Sequence, residues 1–239
     1  MKIKNAIILA AGRGSRMKEL TNDIPKCMLK IKNQTIIQRT IEVLKYRNIN
    51  NIIVITGYKS DILKKHLEEI DKNIKILCNP IWNVSNSITS MTLASNFLKD
   101  TIVIDSDIYI NNCKCIKASV QCSGYSAVKD NRPNEWQLLT DKYNNIVATT
   151  KEGSYKSGLP IIDISYWLEK DAALITNKLK IISQRIDANE ANRFWDEIPL
   201  FDLLYEMKLK RYDINEDDAM EFDTPEEFEK VRKIVCSAD

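Results

Sequence analysis

NAIILAAGRGSRMKELTNDIPK, residues Asn5–Lys26, joins an apolar run to a loop carrying Gly12, Gly14, Arg16 and Lys26. Asn5–Ala11 is bounded and too short for a helix, which predicts a strand buried on both faces. Gly12 and Gly14 permit close backbone approach, so their N–H groups can point at phosphate oxygens. The loop lacks the third glycine of a dinucleotide fingerprint and the G-K-[ST] of a P-loop. Arg16 and Lys26 add the fixed positive charge that a triphosphate needs, and Pro25 restricts the backbone that aims Lys26. A solvated surface loop with two ordinary cations is the alternative that these residues leave open at this point.

Working outward, Gln34–Lys45 spaces Ile37, Ile41 and Leu44 as a helix face, and Asn51–Thr56 is a second buried strand. Ser60–Ile70 predicts a helix behind an N-cap, Ile74–Cys78 a strand, Ser87–Leu98 a helix and Thr101–Asp105 a strand. This alternation argues a parallel sheet with right-handed crossovers. The rhythm changes after Gly124. Trp136–Thr140 and Ile146–Thr150 flank DKYNN, a hairpin signal, and Tyr155–Ile164 adds a further strand. Helices are expected over Ser165–Lys178 and Arg193–Met207, a strand over Arg211–Ile214 and a last helix from Thr224. There Thr224, Pro225 and Glu227 supply an N-cap, a proline at the first helical position and an acid at the third. The fold class is therefore α/β: a Rossmann-like, doubly wound, mostly parallel mixed sheet with an antiparallel C-terminal elaboration. No linker rich in Gly, Pro or Ser interrupts it, so 1–239 is expected to be a single domain.

Bulk composition narrows the function classes. The 239 residues carry 35 basic and 33 acidic side chains, a net charge of +2, so no global field favours nucleic acid or an anionic membrane. No apolar run reaches the ~20 residues that span a bilayer. Without a signal-peptide pattern, the six cysteines are expected as reduced thiols and the protein as cytoplasmic. Cys113 and Cys115 lack a second pair and do not argue a zinc site. His66 falls on an expected surface helix and is assigned no role.

LAAGRGSR followed by IPK resembles the signature L-A-A-G-x-G-[ST]-R with a downstream P-K, found in nucleotidyltransferases that activate phosphorylated small molecules. Every fixed position is present: Leu9, Ala10, Ala11, Gly12, Gly14, Ser15, Arg16, Pro25 and Lys26. The resemblance implies a nucleoside triphosphate on this loop, attack of a substrate phosphate on the α-phosphorus, and release of pyrophosphate. Arg16 would neutralise the leaving pyrophosphate, and Lys26 would bridge the α-phosphate and the incoming phosphate.

In-line displacement between anions calls for a divalent cation, and Mg²⁺ prefers carboxylates, phosphate oxygens and water. TIVIDSDIY places Asp105 and Asp107 at a strand end, and AMEFDTPEEF places Glu221 and Asp223 before a capped helix. Such acids also cap turns. The resemblance favours Asp107 and Asp223 as the Mg²⁺ ligands, with Asp105 and Glu221 as supports. For the base it implies the loop NPIWNVSNSITSM, where Asn79, Ser85, Asn86 and Ser90 offer amide and hydroxyl groups beside backbone groups of Leu9 and Ala11. Asn86, Ser87 and Ser90 suit a helix cap equally.

Further stretches resemble CTP:phosphocholine cytidylyltransferases of bacterial surface-decoration pathways: NP-x-W-x-x-x-N-S, VIDSD, EWQLLTD, ISYW, FWDEI and EFDTPEEF. CTP and a small phosphorylated acceptor are the implied partners, with 1–123 as the nucleotide-binding part and 124–239 as the acceptor-binding part; monomer and homodimer stay open. A quaternary ammonium is held by aromatic faces, each worth ~0.5–2 kcal/mol, helped by a carboxylate. Trp136, Tyr155, Trp167, Trp195 and Asp196 are the acceptor candidates, although tryptophans are also core residues. Pro160 and Asp163 in SGLPIIDISYW depart from the related pattern, so an amine-bearing phosphonate or amino-acid phosphate also suits. A sugar-1-phosphate nucleotidyltransferase and a nucleotide-binding regulatory protein without catalysis are the alternatives.

Overall fold

The computed structural model describes residues 1–129, 135–151, 158–184 and 187–237. In chain order the elements are β1 (Asn5–Ala10), β2 (Lys30–Ile31), β3 (Gln34–Thr35), α1 (Ile36–Tyr46), β4 (Asn51–Thr56), α2 (Ser60–Ile70), β5 (Lys75–Cys78) and α3 (Ser87–Ala94). Next come β6 (Thr101–Asp105), β7 (Ile108–Ile110), β8 (Gly124–Val128), β9 (Gln137–Thr140), β10 (Ile146–Thr150), β11 (Leu159–Trp167), α4 (Glu169–Ser183) and α5 (Ala188–Ala191). The chain closes with β12 (Lys210–Ile214), β13 (Ala219–Glu221) and α6 (Pro225–Ser237).

The main sheet runs β10-β9-β11-β6-β1-β4-β5, with β8 pairing both β11 and β12. β6, β1, β4 and β5 are mutually parallel, whereas β11 runs antiparallel to β6, β8 and β9. The expected α/β class, a mostly parallel sheet with an antiparallel C-terminal part, is what the chain adopts. Alternate residues of β1 enter opposite layers: Ala6, Ile8 and Ala10 pack with Ile41 and Leu44 of α1, while Ile7 and Leu9 pack with Ile88 and Met91 of α3.

A smaller third core lies beneath the loop that follows β1. Met17, Leu29 and Ile31 pack there with Tyr109 of β7, Met220 of β13, Phe222, and Phe228 and Val231 of α6. It clamps the N-terminal loop to the C-terminal helix. The start of α6 is a capping box: Glu227 N–H donates to Thr224 Oγ1 at 3.2 Å, and the Thr224 N–H donates back to Glu227 Oε2 at 3.0 Å. The hairpin at DKYNN also forms, with Asp141 Oδ1 accepting from the backbone of Tyr143 and Asn145 and Asn144 at a φ of 61°.

Several expected boundaries change. The helix expected from Ser165 begins only at Glu169, because β11 continues through Trp167. Ile162, Ile164 and Tyr166 face one layer and Ile161 and Trp167 the other, a period of two. The helix expected over Arg193–Met207 shrinks to one wide turn at Ile198–Asp202, where Pro199 supplies no N–H to an α-helical ladder. His66 is not a free surface residue: its Nε2 lies 2.9 Å from Thr35 Oγ1, which itself caps α1 by accepting from the Gln38 N–H. All six cysteines are free thiols, and the described residues contain no helix long and apolar enough to cross a membrane.

Candidate active site

Beyond the carboxyl ends of β1 and β6 lies a cleft of about 310 Å³, the position where ligands enter open α/β sheets. Leu9, Ala11, Gly12, Gly14, Ser15, Arg16, Lys26, Asn79, Ser85, Asn86, Ser90, Asp107 and Asp223 all line it. Residues proposed for nucleotide, catalysis and metal thus converge from separate parts of the chain.

Local chemistry explains the convergence. Gly14 has a φ of +64°, and a Cβ there would lie 3.1 Å from the Cβ and Cδ of Lys26, so only a glycine lets the lysine stem pass unhindered. Gly12 faces open space. Asp107 and Asp223 are brought together by backbone pairing: β13 runs antiparallel to β7 with Glu221 opposite Ile108, and the Phe222 N–H donates to Asp107 O at 3.3 Å. The Glu227 carboxylate also accepts from the Asp223 N–H at 2.7 Å, so the cap of α6 holds the backbone of a site residue.

Lys26 Nζ sits between the two acids, 3.1 Å from Asp107 Oδ2 and 2.9 Å from Asp223 Oδ1, over the Phe222 ring at 5.0 Å. Burial by itself depresses an ammonium pKa, but Asp107 and Asp223 outweigh it and hold Lys26 above its ordinary value. Arg16 Nη2 also reaches Asp223 Oδ1 at 2.9 Å while its side chain stays 70% exposed, free to turn to an incoming anion. Asp107 Oδ1 is buried without a hydrogen-bond partner. A partnerless carboxylate oxygen beside a second carboxylate, both residues lining the cleft with the glycine loop, is a donor set that fits Mg²⁺.

On the β5 side, Asn79 is an organiser of the loop. Its amide donates to Thr89 Oγ1 at 2.9 Å and Ser90 Oγ at 3.0 Å, and its carbonyl accepts from the Ile81 N–H at 3.1 Å. Asn86 Oδ1 accepts from the Ser87 N–H and caps α3. Asp105, expected as a support, and Ser87, weighed as a helix cap, also line the cleft, as do Trp82 and Ser106, for which no role was expected. Trp82 stood in the NP-x-W stretch, so the signal was present; Ser106 is placed only by the turn between β6 and β7.

The acceptor candidates divide. Trp167 and Trp195 are core residues, 0% and 2% exposed, packed edge to face at 5.6 Å and both against Tyr125. Their side chains complete the layer between the sheet and α4, so the expectation that they wall a pocket gives way to packing. Trp136 is half-buried with Phe194 and Phe201 against it and the Lys151 ammonium 5.2 Å from its ring centroid. Tyr155 lies outside the described residues. Asp196 accepts from Tyr125 Oη at 2.7 Å, and burial pushes its carboxyl up to about 7 against that hydrogen bond.

Asp163 adds to this acidity. The antiparallel register pairs Ile164 with Ile104, and its continuation brings Asp163 alongside Asp105. Burial raises both carboxyls well above the usual range, and each is raised further by the other acids, Asp105 most by Asp107 and Asp163 most by Asp105.

The nucleotidyl transferase family model matches residues 5–122. Choline-phosphate cytidylyltransferase of Haemophilus influenzae is 29% identical over 95% of this chain and 95% of that protein. CTP:phosphoglutamine cytidylyltransferase of Campylobacter jejuni is 41% identical, over 45% of this chain and 42% of that protein. The solved structure of CTP:phosphocholine cytidylyltransferase from Streptococcus pneumoniae superposes with a TM-score of 0.89 at 24% identity, covering 98% of this chain and 100% of that one.

Proposed function

We propose that this chain, which belongs to the nucleotidyl transferase family, is a Mg²⁺-dependent cytidylyltransferase. It joins CTP to phosphocholine or a related phosphate or phosphonate carrying a cationic headgroup, and releases pyrophosphate. The observation that carries this reading is the meeting of Arg16, Lys26, Asp107 and Asp223 in one cleft with the glycine loop.

Residues 1–123 hold the nucleotide and 124–239 the acceptor, within one domain acting in the cytoplasm. The Gly12–Ser15 backbone receives the triphosphate, and Leu9, Ala11, Asn79, Ser85, Asn86 and Ser90 surround the base. Asp107 and Asp223 are the residues that would hold Mg²⁺, which when bound would supply charge neutralisation on the phosphates. An oxygen of the acceptor phosphate attacks the α-phosphorus of CTP, and the bond from that phosphorus to the oxygen bridging to the β-phosphorus breaks. Lys26 turns from the carboxylates to the α-phosphate and the incoming phosphate, and Arg16 turns to the leaving pyrophosphate. The nucleophile is already an anion, so positioning and charge neutralisation suffice without a histidine base.

Burial and mutual repulsion hold Asp105, Asp163 and Asp196 toward their protonated forms. A cationic headgroup beside them would relieve that repulsion and favour ionisation where a neutral sugar would not, which supports the cationic acceptor. Each of four nucleoside triphosphates is to be incubated with Mg²⁺ and phosphocholine, 2-aminoethylphosphonate, glycerol phosphate or glucose 1-phosphate, and pyrophosphate measured. CTP with a cationic acceptor is expected to dominate; preferred turnover of glucose 1-phosphate overturns the headgroup assignment, and no turnover with CTP overturns the whole reading.

A further inference from the structure

Trp82 is the one aromatic side chain among the described residues that line the cleft, and its position is built by the residues around it. A Cβ at Gly57 would stand 2.7 Å from Trp82 Cβ and 2.6 Å from the carbonyl oxygen of Ala11. The absence of a side chain at Gly57, just beyond β4, is what lets the tryptophan close down beside the glycine loop. Tyr58 supports it from the next position, its ring 5.4 Å from the Trp82 ring in an edge-on arrangement. That tyrosine is itself anchored: its hydroxyl lies 2.9 Å from Thr21 O and 2.7 Å from Asn22 O, and its N–H donates to Ala11 O at 2.9 Å. A partly exposed indole is thereby held on the otherwise polar side of the cleft formed by Asn79 and Ser85.

Resting on the nucleotide-binding reading, we infer that Trp82 is a base-stacking residue, giving affinity for the nucleobase face while the amide and hydroxyl groups around it read the base edge. Its place in the sheet favours the nucleotide over the acceptor's cation. Trp82 belongs to the β4 and β5 end, whereas Asp105 and Asp163 lie on β6 and β11, across β1 from it. Every nucleobase presents a π face, so stacking adds affinity with little selectivity, and discrimination is left to groups that reach the Watson–Crick edge.

Calorimetric titration of wild type and Trp82→Ala with CTP, UTP, ATP and inorganic tripolyphosphate tests this. The substitution is expected to weaken whichever nucleotides bind by about tenfold each, leave their order of preference unchanged, and leave tripolyphosphate unchanged. A second variant, Trp82→Phe, retains a ring: it is expected to keep most of the affinity but to lose the change in tryptophan fluorescence that nucleotide is expected to produce in wild type. Unchanged nucleotide affinity in Trp82→Ala overturns the inference, as does an equal loss for tripolyphosphate, which would make Trp82 a support of the glycine loop. Binding of UTP or ATP but not CTP, with the same dependence on Trp82, leaves stacking intact and removes the cytidylyl reading. Failure of wild type to bind any of the three nucleotides overturns both.

Discussion

Lys26 donates to Asp223 across 197 positions of sequence, with Nζ 2.9 Å from Oδ1, and its ammonium lies over the ring of Phe222, a residue of the third core. The lysine is held by the two carboxylates proposed for Mg²⁺, so in the proposed reaction it would exchange them for phosphate oxygens. Lys26→Ala is expected to cut pyrophosphate release about 10²–10³-fold, the usual cost of removing one preorganised charge stabiliser. The circular-dichroism spectrum should stay that of the folded protein. Turnover within a few-fold of wild type would remove Lys26 from the mechanism.

Gly14→Ala attacks the same geometry through the backbone. The left-handed φ of +64° costs an L-residue about 1–2 kcal/mol, and the new methyl presses on the Lys26 stem 3.1 Å away. Activity is expected to fall more than stability accounts for, because Lys26 is displaced. Gly12→Ala, facing open space, should retain the fold's thermal midpoint within a degree or two yet obstruct the triphosphate; a Gly12→Ala enzyme with unchanged KM for CTP would contradict the phosphate assignment of the loop.

Trp167→Ala empties a fully buried site between the sheet and α4. A loss of about 3–5 kcal/mol in urea unfolding is expected. Trp167→Phe should recover part of that stability with acceptor KM near wild type. A Trp167→Phe protein of wild-type stability with a large rise in acceptor KM would return this residue to the pocket wall.

Asp196 links stability to pH. Its carboxyl is raised from the ordinary value near 3.8 to about 7 in the folded chain, so between these values the folded state holds a proton that the unfolded state has lost. Its contribution to stability is complete below about pH 4 and disappears as pH rises through about 7. Urea midpoints measured from pH 5 to 8 should therefore fall with rising pH, and the fall should be smaller in Asp196→Asn. An unchanged slope in the variant would assign the effect to other groups.

How far the site was legible depended on whether its parts were local. The glycine loop, Arg16, Pro25 and Lys26 sit within one short stretch, and the capping box at Thr224 and Glu227 is a spacing of three residues. Both can be seen without a fold. For Trp167 and Trp195 the sequence offered both a core and a pocket reading without deciding between them, because sequence neighbours do not reveal which face of β11, or which side of an irregular turn, meets α4. The mistaken helix over Ser165–Lys178 has the same origin: the apolar residues of a two-sided buried strand lack a one-face pattern that would separate them from a helix start.

By itself the sequence determined the alternation of strands and helices, the phosphate-type loop and the identities of the acids that follow β6 and precede α6, since these rest on local propensity and residue chemistry. Tertiary structure decided that Asp107 and Asp223 share one lysine, that Asp163 stands beside Asp105, and that Trp82 rather than the downstream tryptophans faces the cleft. Those are pairings across strands and cores, set by β-sheet register, by the burial of Phe222 and Met220, and by a glycine with no room for a side chain.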